Sequence, residues 1–136
     1  MINQKRDKNF SKNYSNGCFH SKYLNTIFDI SNRGVDYYNN HNIGFEFKES
    51  FMTNPNNIFF KVPEHQAKIS DYFVFCVGTS EYYLVPQRFI LRRFCFKTKR
   101  KNANIRINAV KEMALYCTDN IVELKEIIDK IKIEKR

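Results

Sequence analysis

Hydrophobic side chains recur along this chain at two spacings, and the change from one to the other marks out the elements. Between residues 16 and 31, Phe19, Tyr23, Leu24, Ile27 and Phe28 recur at intervals of three and four, which predicts an amphipathic helix. Asn32-Arg33-Gly34 ends it, with Gly34 suited to a left-handed exit. The period then falls to two. Residues 35–39 read as a strand, Asn40-His41-Asn42 as a turn and residues 43–51 as the partner strand. In that second strand Ile43, Phe45 and Phe47 take one face and Glu46, Lys48 and Ser50 the other. A loop around Asn54-Pro55-Asn56 leads to a third strand at 58–62 and a short helix at 63–70, with Pro63 in its first turn.

Residues 72–77 are apolar without interruption, which predicts a central strand covered on both faces. Gly78-Thr79-Ser80 turns the chain, residues 81–85 return as another strand and Pro86 closes it. Ile107, Val110, Ala114 and Cys117 describe one helical stripe, and Asn120-Ile121-Val122-Glu123 resembles a helix start with a capping glutamate. Ile121, Leu124, Ile128 and Ile131 line the final helix. The order is helix, three strands, short helix, two strands, two helices. It predicts an α/β or α+β fold, a mixed central sheet flanked by helices. A chain of 136 residues is expected to form one domain, 1–136, with residues 1–15 a loose polar arm.

Composition narrows the classes. With 43% hydrophobic and 15% aromatic residues, 4 Gly and 3 Pro, the chain is globular. No apolar run approaches a membrane span, and no apolar stretch follows the charges of the N-terminus, so a cytoplasmic protein with no membrane partner is expected. Cys18, Cys76, Cys95 and Cys117 form no C-x-x-C pair and read as reduced, buried thiols; His20, His41 and His65 are scattered. A zinc site or a disulfide framework therefore has little support. No Gly-rich phosphate loop, G-x-S-x-G elbow or Cys/His nucleophile pairing is present.

Charge adds a partner. The net charge is +9, and no acidic residue occurs from Tyr82 to Lys111. That stretch holds Arg88, Arg92, Arg93, Lys97, Lys99, Arg100, Lys101, Arg106 and Lys111, with Phe89, Phe94 and Phe96 interleaved. A single-sign stretch of this kind favours a polyanion through counterion release, so these cations are candidate nucleic-acid contacts; a solvated basic loop is the bland alternative. Tyr37, Tyr38, Tyr82 and Tyr83 could stack on bases but read first as filling a sheet face.

The chemistry concentrates on the first hairpin. A three-residue turn pairs Asn39 with Ile43 and sets Asp36 opposite Glu46, with Lys48 on the same face. A two-residue turn would send Asp36 to the other face. The core argues for the first arrangement, because Val35 and Tyr37 then join Ile43, Phe45 and Phe47. Two opposed carboxylates repel unless a cation lies between them, and hard oxygen ligands suit magnesium. Such an ion can bind a phosphate oxygen and activate water, with Lys48 beside it orienting that water or stabilising developing charge.

Asp36, nine residues and then Glu46-x-Lys48, flanked by Phe45 and Phe47 and followed by Ser50, resembles the signature of the PD-(D/E)XK nuclease superfamily. The strands 71–77 and 82–86 look like those that follow the site in small members, and the resemblance extends from about Ser21 to Phe89. It implies a restriction-endonuclease-like fold and a DNA endonuclease that hydrolyses phosphodiester bonds with Mg²⁺ or Mn²⁺. It implies Asp36, Glu46 and the Phe47 carbonyl as metal ligands, Lys48 as the catalytic lysine and Gln66 as an accessory polar residue. The implied partner is double-stranded DNA, and cutting both strands implies a homodimer. Two departures stand out: Val35 replaces the proline before the aspartate, and residues 16–31 contain no Glu, only Asp29. The alternatives are a non-catalytic basic nucleic-acid-binding module on a degenerate nuclease fold, and a structural subunit that meets an acidic protein.

Overall fold

A computed structural model describes residues 20–31, 34–94 and 102–132. A five-stranded mixed sheet forms its centre, built from β1 (Tyr37–Tyr38), β2 (Gly44–Ser50), β4 (Tyr72–Val77), β5 (Glu81–Pro86) and β7 (Tyr116–Thr118), in the spatial order β1-β2-β4-β5-β7. Only β2 and β4 run parallel; every other pairing is antiparallel. Between β2 and β4 the chain forms β3 (Phe59–Pro63) and α2 (Glu64–Ile69). Strand β3 leaves the main sheet and pairs antiparallel with β6 (Asn102–Arg106) as a separate ribbon. Helices α1 (Lys22–Ile27), α3 (Gln87–Arg93), α4 (Ile107–Met113) and α5 (Ile121–Lys130) complete the described elements. The architecture is α+β with helices on both sides of a mixed sheet.

The apolar run of β4 explains the layering. Phe73 and Phe75 point into one core with Phe60 and Val62 of β3, Ile105 of β6, Ile90 of α3 and Val110 of α4. Tyr72, Val74 and Cys76 point into the other, with Phe45 and Phe47 of β2, Leu24 of α1 and Leu124 and Ile128 of α5. Both faces of β4 are therefore dry, and burying each phenylalanine is worth on the order of 2–3 kcal/mol. The helix ends follow local chemistry. Asn120 accepts from the Val122 and Glu123 amides and caps α5. Pro63 and Pro86 each supply the residue before a helix, where the fixed φ of proline suits the entry. Gln87 is buried and donates from Nε2 to the Ala67 and Lys68 carbonyls, tying α3 to the end of α2.

Several elements differ from the sequence expectation. The first strand is only Tyr37–Tyr38, and the expected 16–31 helix is described as Lys22–Ile27. Helix α3 and strands β6 and β7 were not expected. Cys117 does not extend a helical stripe from Ile107: α4 stops at Met113, and Cys117 lies exposed on β7, paired with Tyr83. Tyr82 and Tyr83 are core residues, whereas Tyr38 is exposed. Val35 is buried but joins neither Phe45 nor Phe47; it lies against Gly44, where a Cβ would meet Val35 Cγ1 at 3.0 Å. Glu123 bonds the Tyr116 hydroxyl rather than closing a capping box. The expected arm at 1–15 lies outside the described residues, as do Cys18 and Cys95. Among the described residues no helix is long and apolar enough to cross a membrane.

Candidate active site

The β1–β2 hairpin sets the site. Tyr37 pairs with Phe45 and Tyr38 with Gly44, and the hairpin closes with Asn39 beside Ile43, while Asp36 lies just before the paired residues. The Asn39 amide donates to the Ile43 carbonyl at 3.1 Å, and the loop between them is the three residues Asn40, His41 and Asn42. Asn42 carries the left-handed backbone that this loop needs, with φ 62°. The Asn39 side chain fixes the turn by accepting from the His41 and Ile43 amides, and it anchors the turn by donating to the Ile128 and Ile131 carbonyls at the end of α5.

β1 stops one residue short of Asp36, and side chains take over where its backbone leaves off. The Phe47 amide donates to Asp36 Oδ2 at 2.8 Å. The Phe47 carbonyl bonds His20 Nε2 at 3.0 Å, and the same nitrogen lies 3.2 Å from Asp36 Oδ2. Backbone polar groups inside a protein must find partners, and here a carboxylate and an imidazole supply them. His20 is held in place by its neighbour: Ser21 donates through its amide and hydroxyl to the two oxygens of Glu49, at 2.8 and 2.6 Å, and then caps α1.

Glu46 and Lys48 lie beside Phe73 and Phe75 of β4 in the parallel register, on the face that the β3–β6 ribbon covers. Glu46 is buried, and its Oε1 has no hydrogen-bond partner. Burial pushes its pKa up to about 8; the Asp36 charge and a hydrogen bond with Asp36 push the same way, while Lys48 and His20 oppose them. Glu46 is thus disposed to hold a proton at neutral pH. Burial lowers the Lys48 pKa against the pull of Glu46 and Asp36. For His20, burial disfavours the charged ring, but the bonded Asp36 carboxylate outweighs it and holds the pKa above the usual histidine value. Asp36, Glu46 and Lys48 are therefore close enough to set one another's charge, and His20 belongs with them.

The other expected residues are dispersed. Gln66 is half-buried on α2 with its Oε1 buried and unpaired, and no hydrogen bond links it to the carboxylates. Arg88 and Arg92 lie over the Phe89 ring, 5.0 and 5.7 Å from its centre. Arg93 is ion-paired with Glu112 at 2.7 Å, so a stretch free of acid in sequence is not free of it in space. Arg106 is exposed on β6 and donates to the Asn56 carbonyl. Lys97, Lys99, Arg100 and Lys101 lie outside the described residues.

Comparison of the chain with family models, with curated proteins and with solved structures finds no match in any of the three. Among the described residues no cluster of three or more His, Cys, Asp or Glu side chains is poised to hold a metal ion. The donor set at the hairpin is smaller: two carboxylates, one with an orphaned buried oxygen, next to a backbone carbonyl. An uncompensated carboxylate oxygen in a dry site is costly, and a hard cation that keeps several waters needs only one or two such ligands.

Proposed function

We propose that this chain is a Mg²⁺- or Mn²⁺-dependent DNA endonuclease of the PD-(D/E)XK kind. The observation that carries the reading is the Glu46 carboxyl, buried beside Asp36 with an unpartnered oxygen and a lysine two residues on. The strand sequence supports it: a hairpin bearing the two carboxylates, then a parallel neighbour and an antiparallel return. Asp36, Glu46 and the Phe47 carbonyl would hold the cation, which supplies Lewis acidity toward a phosphate oxygen and lowers the pKa of water. Lys48, made less basic by burial, would accept a proton from the attacking water as its oxygen bonds phosphorus, and the sugar oxygen would leave as an alkoxide that takes a proton from bulk water. Glu46 would hold the ion in its ionised form. His20 orients Asp36 and the Phe47 carbonyl. The reading sets the protein in the cytoplasm, acting on duplex DNA as a homodimer, with one site for each strand.

One observation favours the second reading, a nucleic-acid-binding module without catalysis. His20 Nε2 already occupies the Phe47 carbonyl and one oxygen of Asp36, and it must yield if a cation is to use both. Nicking of supercoiled plasmid decides between the two. The enzyme nicks in Mg²⁺ or Mn²⁺, stops in EDTA, and loses at least about a hundredfold in rate on Glu46→Ala or Lys48→Ala. Cleavage that survives EDTA or ignores Lys48 rules the mechanism out. DNA binding with no metal-dependent nicking at all selects the module.

A further inference from the structure

The β3–β6 ribbon turns one face to the core and one to solvent. Phe60, Val62, Ala103 and Ile105 are buried, while Phe59, Lys61, Asn102, Asn104 and Arg106 are exposed. The register sets Phe59 opposite Arg106, Lys61 opposite Asn104 and Pro63 opposite Asn102, so these six side chains share the outer face. None of them is acidic. Phe59 leaves 51% of its surface in water. The side chains of the two asparagines form no hydrogen bond among the described residues. Asparagine is a poor strand residue, so two of them on consecutive outward positions weaken β6 with no intramolecular return.

We propose that this face docks a DNA duplex by entering its major groove. The proposal rests on the functional reading above only in taking nucleic acid as the partner; it does not depend on the metal chemistry. The dimensions suit the groove. Two strands about 4.8 Å apart, with their side chains, make a ribbon narrow enough for a major groove about 12 Å wide, and the five paired residues run about 13 Å along it. The side chains suit it as well. Asparagine can bond both edge atoms of an adenine, lysine and arginine can donate to the acceptors of a guanine, and an exposed apolar ring can cover a thymine methyl. A single-strand platform calls for successive aromatic rings, and this face has one. The net charge of +9 draws the polyanion in. Only Arg106 of this set was expected from sequence as a nucleic-acid contact.

Fluorescence anisotropy with a labelled duplex pool, in EDTA to prevent cleavage, tests this on the full chain. Asn102→Thr/Asn104→Thr is the sharpest variant, because threonine improves the strand while removing the amide groups. Its thermal stability should equal or exceed that of the parent, and its duplex affinity should fall about tenfold. Phe59→Ser/Lys61→Ala should weaken binding to a similar extent. Nicking in Mg²⁺ is scored separately from binding in EDTA, so duplex affinity is read whether or not the parent nicks DNA, which separates failure of the docking face from failure of the nuclease. Parent-like duplex affinity in both ribbon variants overturns the proposal. So does a parent that binds no duplex, or one that prefers a single strand of the same sequence.

Discussion

Glu46 is a carboxyl placed where ionisation is expensive, and the cost can be read from the pH dependence of stability. Its folded pKa of about 8 exceeds the unfolded value of 4.5. The folded protein therefore binds the extra proton across that window. The stabilisation is full below pH 4.5 and is lost as pH rises towards 8. His20, also raised in the folded state, has the same sign. Lys48, lowered in the folded state, works the other way, gaining stability towards its unfolded value of 10.5. The protein should thus lose stability between pH 5 and 7.5, by on the order of 1 kcal/mol per pH unit from Glu46. Glu46→Gln should remove at least half of that slope and leave the His20 part. Melting curves in EDTA measure it, and an unchanged slope would mean Glu46 is ionised as in water. Asp36 and Glu46 were legible in the sequence because register is arithmetic once the turn length is known. His20 was not. Its contact with Phe47 is made 27 residues away across the fold, and no periodicity encodes where a helix start will land.

At the scale of elements, the hairpin turn is the feature on which the site depends. Asn39 accepts two turn amides and donates to two carbonyls at the end of α5, so one side chain joins the hairpin to the last helix. Asn39→Ala leaves those buried groups without partners. It should cost about 2–4 kcal/mol, seen as a lower urea midpoint with an unchanged m-value. If the midpoint holds, water replaces the side chain and the latch is unimportant. The elements that the sequence concealed share a physical cause. β6, Asn-Ala-Asn-Ile-Arg, has two apolar residues among poor strand formers and is a strand because β3 pairs with it. β7 is three residues long, too short for a period of two to declare itself. α3 carries three arginines that mask its buried Ile90, and the long apolar strands β4 and β5 showed plainly because burial on both faces leaves no ambiguity.

In the whole molecule, the main sheet separates two cores, and the proposed chemistry lies at one margin of it. α1 and α5 close one face; the ribbon, α2, α3 and α4 close the other. Charge is distributed less simply than the sequence suggests. Arg93 is neutralised by Glu112, and Arg88 and Arg92 rest on Phe89. The outward ribbon instead presents Lys61 and Arg106 with no acid beside them on that face.

The side chains that finish the β2 edge have a further consequence, which concerns solubility. An open strand edge is a template on which another chain can add. Beyond Phe45 the outer edge of β2 has no strand beside it among the described residues, and Asp36 and His20 occupy the Phe47 amide and carbonyl that a foreign strand would use. Residues proposed to hold a cation thus also guard the sheet against self-association. Asp36→Ala should be more prone to aggregate than Glu46→Ala at equal concentration, by light scattering on warming, because only the first uncovers the edge. Equal scattering from the two would show that the edge is protected by something else. A test of the proposed chemistry is therefore better made at Glu46 than at Asp36.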